Sequence, residues 1–199
     1  MALEIESAFR DRDVELARLA SGGDRRALQE VALRLYDRVR TTVFYMVGGH
    51  RDAEDMVQVA MVEILRSLGA YEGRSKIERW ADRITTRTVM RRIKNRRWKD
   101  QVVQIQDDPG GDRPADHEEK YARRAVRRRL AVLLGQVPET HREVLTLHWV
   151  LGYRVAEIAE SLGVPANTVR DRLRRAKKKF QRLATADPVL MDWIERDRP

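Results

Sequence analysis

The chain has 199 residues, with 40 Lys and Arg against 31 Asp and Glu, a formal charge of +9 and no cysteine. That size holds one or two small domains, and the positive balance favours a polyanion such as nucleic acid as partner. The missing cysteines exclude disulfides, thiolate zinc sites and cysteine nucleophiles, and His50, His117, His141 and His148 are too scattered to suggest a histidine metal site.

No run is long and apolar enough to cross a bilayer, and MALEIESAFRDRD lacks the basic-then-apolar order of a signal peptide, so a cytoplasmic protein without membrane insertion is expected. From Asp13 to Val47 the apolar positions Val14, Leu16 and Leu19, then Leu28, Val31, Ala32, Leu35, Tyr36, Val39 and Val43, predict two helices. They are broken at Ser21-Gly22-Gly23-Asp24, where Ser21 or Asp24 can cap, and Gly48-Gly49 ends the second. Asp52 to Leu68 has the clearest helical period, with Ala53, Met56, Val57, Ala60, Met61, Ile64, Leu65 and Leu68 three and four apart. Its other face carries Val59 and Val62 beside Asp55, Gln58, Glu63 and Arg66. Single exposed apolar residues are common, yet valines ringed by carboxylates and an amide also suit a helix that meets a partner's helices.

Gly69 to Lys76, GAYEGRSK, is a loop, and Ile77 to Trp98 resumes as a helix with Trp80 and Ile84 directed inward. Arg83, Arg87, Arg91, Arg92, Lys94, Arg96, Arg97 and Lys99 crowd it, and from Arg83 to Lys99 there is no acid. Such a seam beside an aromatic-bearing loop fits a DNA backbone, including an unpaired strand whose bases stack or enter pockets. The plainer reading makes Tyr71 and Trp80 core residues, and for Trp80 it is preferred. Residues 99–120 change character, with Pro109-Gly110-Gly111, Pro114 and the acids Asp107, Asp108, Asp112, Asp116, Glu118 and Glu119, which predicts a flexible acidic linker.

The expected architecture is therefore all-α, with small helical domains over 13–98 and 121–183, the linker between them and a tail over 184–199. The second domain begins with helices from Tyr121 to Leu134 and from Glu139 to Val150, the latter opened by Pro138. Val155 to Leu183 reads as a helix-turn-helix. Leu133, Leu134, Val137, Val144, Leu145, Leu147 and Trp149 are expected to pack behind it. Val155, Ile158, Ala159 and Leu162 share a face, Gly163 stops the first helix, and Pro165 opens the next. On the second helix Val169, Leu173, Ala176 and Phe180 form the buried stripe. Asn167, Asp171, Arg174, Arg175 and Lys178 are left facing outward for a major groove, flanked by Arg170, Arg172, Lys177, Lys179 and Arg182 for phosphates. The tail, with Pro188, Val189, Leu190, Trp193 and Ile194, is amphipathic.

In this order the pieces resemble the sigma-70 family of bacterial RNA polymerase specificity factors, in its compact extracytoplasmic-function group, from Asp13 to Leu183. RDAEDMVQVAMVEILRSL resembles region 2.2, AYEGRSKIERWADRITTRTVMRRIKNRR regions 2.3 and 2.4, and VPETHREVLTLHWVLGYRVAEIAESLGVPANTVRDRLRRAKKKF region 4. The resemblance implies a promoter-specificity factor without catalysis or cofactor, whose partners are core RNA polymerase, promoter DNA and an anti-sigma protein, with no small-molecule substrate. It implies that Asp52, Asp55, Gln58, Val59 and Val62 dock on the polymerase clamp helices. The loop residues Tyr71, Glu72, Gly73, Arg74 and Ser75 would capture an unstacked base of the melted −10 element, with Arg87, Arg91 and Lys94 on the flanking DNA. Asn167, Thr168, Arg170, Asp171, Arg172, Arg174, Arg175 and Lys178 would read the −35 element. The family usually has an Asn and an Asp where Arg87 and Arg91 stand, often an aromatic at Ile77, and a small residue at Asp171. The carboxylate of Asp171 can accept from a cytosine amino group or pair with Arg174 or Arg175 at helix spacing.

Two other classes fit parts of the sequence. A stand-alone helix-turn-helix regulator would need a dimer seam or a ligand pocket, neither of which the sequence displays. A metal-dependent nuclease would need Asp52, Asp55 and Glu63 on one ion, but those acids sit on a helix whose apolar face is already complete.

Overall fold

The structure, a computed structural model, describes residues 2–49, 53–95, 117–188 and 190, with side chains for 10–49, 53–93, 125–188 and 190. Among the described residues there are helices and no strand: α1 (Ala2–Ser21), α2 (Arg25–Val47), α3 (Ala53–Ser67), α4 (Ile77–Asn95), α5 (His117–Gly135), α6 (Glu139–Leu145), α7 (Val155–Leu162) and α8 (Ala166–Thr185). The chain divides into two compact units, Met1–Val43 with Glu54–Arg96, and Phe44–Ala53 with Arg97–Pro199. The all-helical class expected from the periodicity is what the described residues show. Most of the acidic linker, Asp52, and the tail residues Val189, Trp193 and Ile194 lie outside them.

In the first unit the break between α1 and α2 is made by Asp24, whose Oδ1 accepts from the Ala27 N–H at 2.8 Å. That is the N-cap bond, which satisfies a donor the helix itself leaves open. Ser21 instead donates to the Arg18 carbonyl at 2.9 Å. Along α2, Val31, Leu35, Val39 and Val43 recur every fourth residue and are buried, as are Met56, Val57, Ala60, Ile64 and Leu68 along α3 and the short 3-10 turn after it. Burying one such side chain contributes roughly 2 kcal/mol. Leu19 and Tyr36, expected inside from their spacing, are each 40% exposed. At that exposure each marks the edge of its helix's apolar stripe.

Among the described residues of this unit two charged side chains are buried, and both are paired. Asp82 of α4, 2% exposed, accepts from Arg38 of α2 through both oxygens at 2.7 to 3.0 Å. Asp13 of α1, 3% exposed, accepts from Arg34 of α2 at 2.6 Å. Carboxylates removed from water are stable only with such partners, so these pairs fix how α1, α2 and α4 meet.

In the second unit α6 runs into a wider turn over Thr146–Val150, where the Leu151 N–H reaches back to the Thr146 carbonyl at 3.1 Å. Leu134, Val137, Val144, Leu145, Leu147, Tyr153 and Ile158 form one core with Val169, Leu173 and Ala176 of α8. Leu133 belongs to a smaller cluster with Val126 and Leu190, so the start of the tail folds onto α5, and Arg129 pairs there with Asp187. Trp149, expected behind α8, is 46% exposed. It packs edge-on against Phe180, with the Lys177 ammonium 5.9 Å from its ring centre. The wide turn carries the indole to the rim of the core.

Candidate nucleic-acid interface

In the second unit the site is α7, its turn and α8. Gly163 closes α7 at φ +64°, ψ +36°. Its N–H bonds to the Glu160 carbonyl at 3.3 Å, and the next N–H, of Val164, bonds to the Ala159 carbonyl at 3.1 Å. Those two bonds are the Schellman ending of a helix, which reverses the chain sharply and satisfies the last carbonyls. Pro165 then precedes α8 and its carbonyl accepts from the Val169 N–H at 3.2 Å. Of the residues expected on the inner face of α7 only Ile158 is fully buried. Val155, Ala159 and Leu162 are partly buried against the same core.

Burial of Val169, Leu173 and Ala176 turns the opposite side of α8 to solvent, and Asn167, Arg170, Arg174, Arg175 and Lys178 are exposed there, with Thr168, Asp171 and Arg172 partly so. These side chains are held in pairs. Asp171 accepts from Arg174 Nη2 and from Arg175 Nε, both at 2.8 Å. Hydrogen bonds from Arg174 and then Arg175 hold its carboxyl below the usual carboxylate range. Arg170 donates to the Asn167 amide oxygen at 2.6 Å. Of the two options open to Asp171, the structure shows the ion pair at helix spacing. His141 on α6 faces the same patch, and burial, then the charges of Arg175 and Arg172, depress the proton affinity of its imidazole.

In the first unit the loop between α3 and α4 and the first turns of α4 enclose a recess of about 330 Å³ lined by Ala70, Tyr71, Glu72, Arg74, Ser75, Trp80, Arg83, Ile84 and Arg87. Of the residues assigned by resemblance to the −10 element, Tyr71, Glu72, Arg74, Ser75 and Arg87 are on this lining. Gly73 is in the loop but not on that wall, Arg91 lies near Glu63 at 3.8 Å, and the Lys94 side chain is outside the described residues. Trp80, for which the core reading is preferred on sequence, is less buried than Tyr71, and both line the recess. Tyr71 is buried, 6% exposed, with its hydroxyl donating to the Ser75 carbonyl at 2.7 Å, while Trp80 is only partly buried and forms a wall of the recess. Their rings meet at 62° with centres 5.4 Å apart. Burial, followed by the carboxylates of Asp13 and Glu78, pushes the Tyr71 phenol up to about 12, so it stays protonated and closes the loop. Trp80 and Ile84, which the periodicity directs inward, thus line the recess, together with Arg83 of the basic run.

On α3, Asp55, Gln58 and Val62 are exposed and Val59 is partly so, with Val62 at 44%. They share the face opposite the buried stripe. Among the described residues no three His, Cys, Asp or Glu side chains gather as a metal would require.

Two family models match the chain, Sigma-70 region 2 over residues 31–99 and Sigma-70, region 4 over residues 127–180, together well over half of its length. The chain belongs to the sigma-70 family. It is similar to the RNA polymerase sigma-H factor of Pseudomonas aeruginosa, 27% identical over 180 residues that span 86% of this chain and 93% of that protein. It is also similar to the ECF RNA polymerase sigma factor SigM of Mycobacterium tuberculosis strain H37Rv, 28% identical over 173 residues, 86% of this chain and 84% of the relative. Among solved structures, CnrH in complex with the cytosolic domain of CnrY aligns with a TM-score of 0.61 and 24% identity, covering 88% of this chain and 98% of that one. The sigma factor RpoE of Bartonella quintana, in complex with the anti-sigma factor NepR, aligns at 0.58 and 18%, covering 80% and 97%. The structural likenesses establish the fold, and the family assignment makes the protein a sigma factor of the transcription apparatus rather than a stand-alone helix-turn-helix regulator. In sigma-70 terms, the loop recess and α4 fall in region 2, and α7 and α8 in region 4.

Proposed function

We propose that this sigma factor, of the extracytoplasmic-function group, binds core RNA polymerase through the α3 face of Asp55, Gln58, Val59 and Val62, with Asp52 just before it, and carries it to promoters. Residues 13–98 would act on the −10 element and 121–183 on the −35 element. In the first, Glu72, Arg74, Ser75, Trp80 and Arg83 form a recess able to take one unstacked base, while Arg87, Arg91 and Lys94 follow the backbone. In the second, Asn167, Thr168, Arg170, Arg174, Arg175 and Lys178 face the major groove, with Arg172 toward phosphate and Asp171 holding two of the arginines ready.

The observation that carries this reading is the presence, in separate units, of two arginine-bearing faces, one the solvent-facing side of α8 above its own apolar core and the other a walled recess of about 330 Å³. The protein itself would perform no chemistry and would work in the cytoplasm; no helix of the described residues is long and apolar enough to cross a membrane. An anti-sigma factor is proposed as a third partner, by likeness to the RpoE–NepR complex. The test is transcription by purified core polymerase, with and without this protein, on a promoter library. New start sites sharing upstream elements are expected, and an identical set of starts in both reactions would sink the reading.

A further inference from the structure

Helix α1 lies wholly before the stretch that matches the sigma-70 region 2 model, which begins at residue 31. Two of its contacts nevertheless reach the loop and the start of α4, and a third leads to α4 through Arg34 of α2. Asp13 accepts from the Ile77 N–H, the first of α4, at 3.4 Å, so a carboxylate 64 residues away caps the helix after the loop. The same carboxylate accepts from Arg34 through both oxygens, at 2.6 and 3.3 Å, and Arg34 in turn donates to Glu78 Oε1 at 2.8 Å. Beneath the loop, Gly73 has φ +70°, and a β-carbon there would stand 2.6 Å from Val14 Cγ2. The loop backbone therefore rests directly on α1, while its entry and exit are tied by the Tyr71 hydroxyl and by Asp13.

We propose that Asp13 and Val14 of helix α1 are positioning residues for the 71–76 loop, fixing its height and the start of α4 so that the Trp80-walled recess is preformed when a promoter strand arrives. This rests on reading that recess as the element that captures the strand. The physical reason is preorganisation: a loop held in its bound shape loses less conformational entropy on binding. A carboxylate buried at 3% exposure and shared between a guanidinium and a helix N-terminus fixes geometry more tightly than surface pairs do. Asp13 touches no DNA in this arrangement. It acts through Ile77 and Arg34.

The test uses the full chain assembled with core polymerase and, as probe, the single-stranded non-template DNA of a promoter isolated in the library assay. Asp13→Asn is expected to bind core as the unaltered chain does, to bind the strand about tenfold more weakly, and to speed amide exchange at residues 71–77 only. Val14→Ala, which leaves the ion pair in place, should give the same local pattern at smaller amplitude. Trp80→Ala is the control for the recess itself. If Trp80→Ala weakens strand binding and both α1 variants do not, the proposal is overturned while the recess keeps its role. If none of the three changes strand binding, the recess reading fails and this proposal with it. Faster exchange throughout the first unit, or loss of core binding by both α1 variants, would make α1 a general stabiliser and equally overturn the proposal.

Discussion

Replacing Gly163 by alanine isolates the energetic cost of the turn that aims α8. The residue stands at φ +64°, a region where an L side chain is strained, yet a β-carbon placed there meets nothing within 4 Å. The penalty is then backbone strain alone, about 1 to 2 kcal/mol, partly offset by the ~0.4 to 1 kcal/mol that alanine removes from the entropy of the unfolded chain. A net loss of about 1 kcal/mol corresponds to roughly fivefold faster amide exchange through global opening of the second unit. The assay is hydrogen exchange at the Ile158 and Val169 amides, whose acceptors are the Arg154 and Pro165 carbonyls, with duplex −35 binding measured alongside at 25 °C. Exchange should rise and binding should hold, because the reading face is unchanged once folded. Unaltered exchange would show that the turn does not impose the left-handed backbone. A loss of more than about 3 kcal/mol, well beyond backbone strain, would show that the site is not open. Gly73→Ala makes the comparison: the same sign of φ with Val14 in the way should cost more.

Arg175→Ala should weaken promoter selection by about 1 to 3 kcal/mol at a single base pair if its guanidinium reads a base; a uniform loss across sequences would make it a phosphate contact. Val62→Asp alters a side chain that is 44% exposed, so circular dichroism should be unchanged while co-purification with core polymerase is lost; retained co-purification would remove this face of α3 from the interface. His141 has a proton affinity depressed by burial and by Arg175 and Arg172, against which Asp171 pulls. The unfolded imidazole therefore binds protons more readily, and stability of the second unit should be fully present above about pH 6.5 and decline as pH falls from there through the lower folded value. His141→Gln should flatten that slope in urea titrations, and a slope unchanged by it would assign the effect elsewhere.

The amino-acid sequence alone determined whatever depends on neighbours within one helical turn. The stripes Val31-Leu35-Val39-Val43 and Val169-Leu173-Ala176 are readable because side chains three and four apart must share a face whatever surrounds them. The Gly163-Val164-Pro165 turn is readable because those residues restrict or free the backbone by themselves. The motif order from Arg51 to Phe180 is enough to suggest the family. What the tertiary structure decided is which of several eligible groups takes each place. Tyr71 and Trp80 are both large and aromatic; the Ser75 carbonyl and the floor supplied by α1 draw in Tyr71 and leave Trp80 as the wall. Trp149 has the apolar character of a core residue but sits on a turn that sets it at the rim. Asp13 capping Ile77 across 64 residues has no local signature at all, because a carboxylate on a helix looks solvated until another helix and an arginine arrive to bury it.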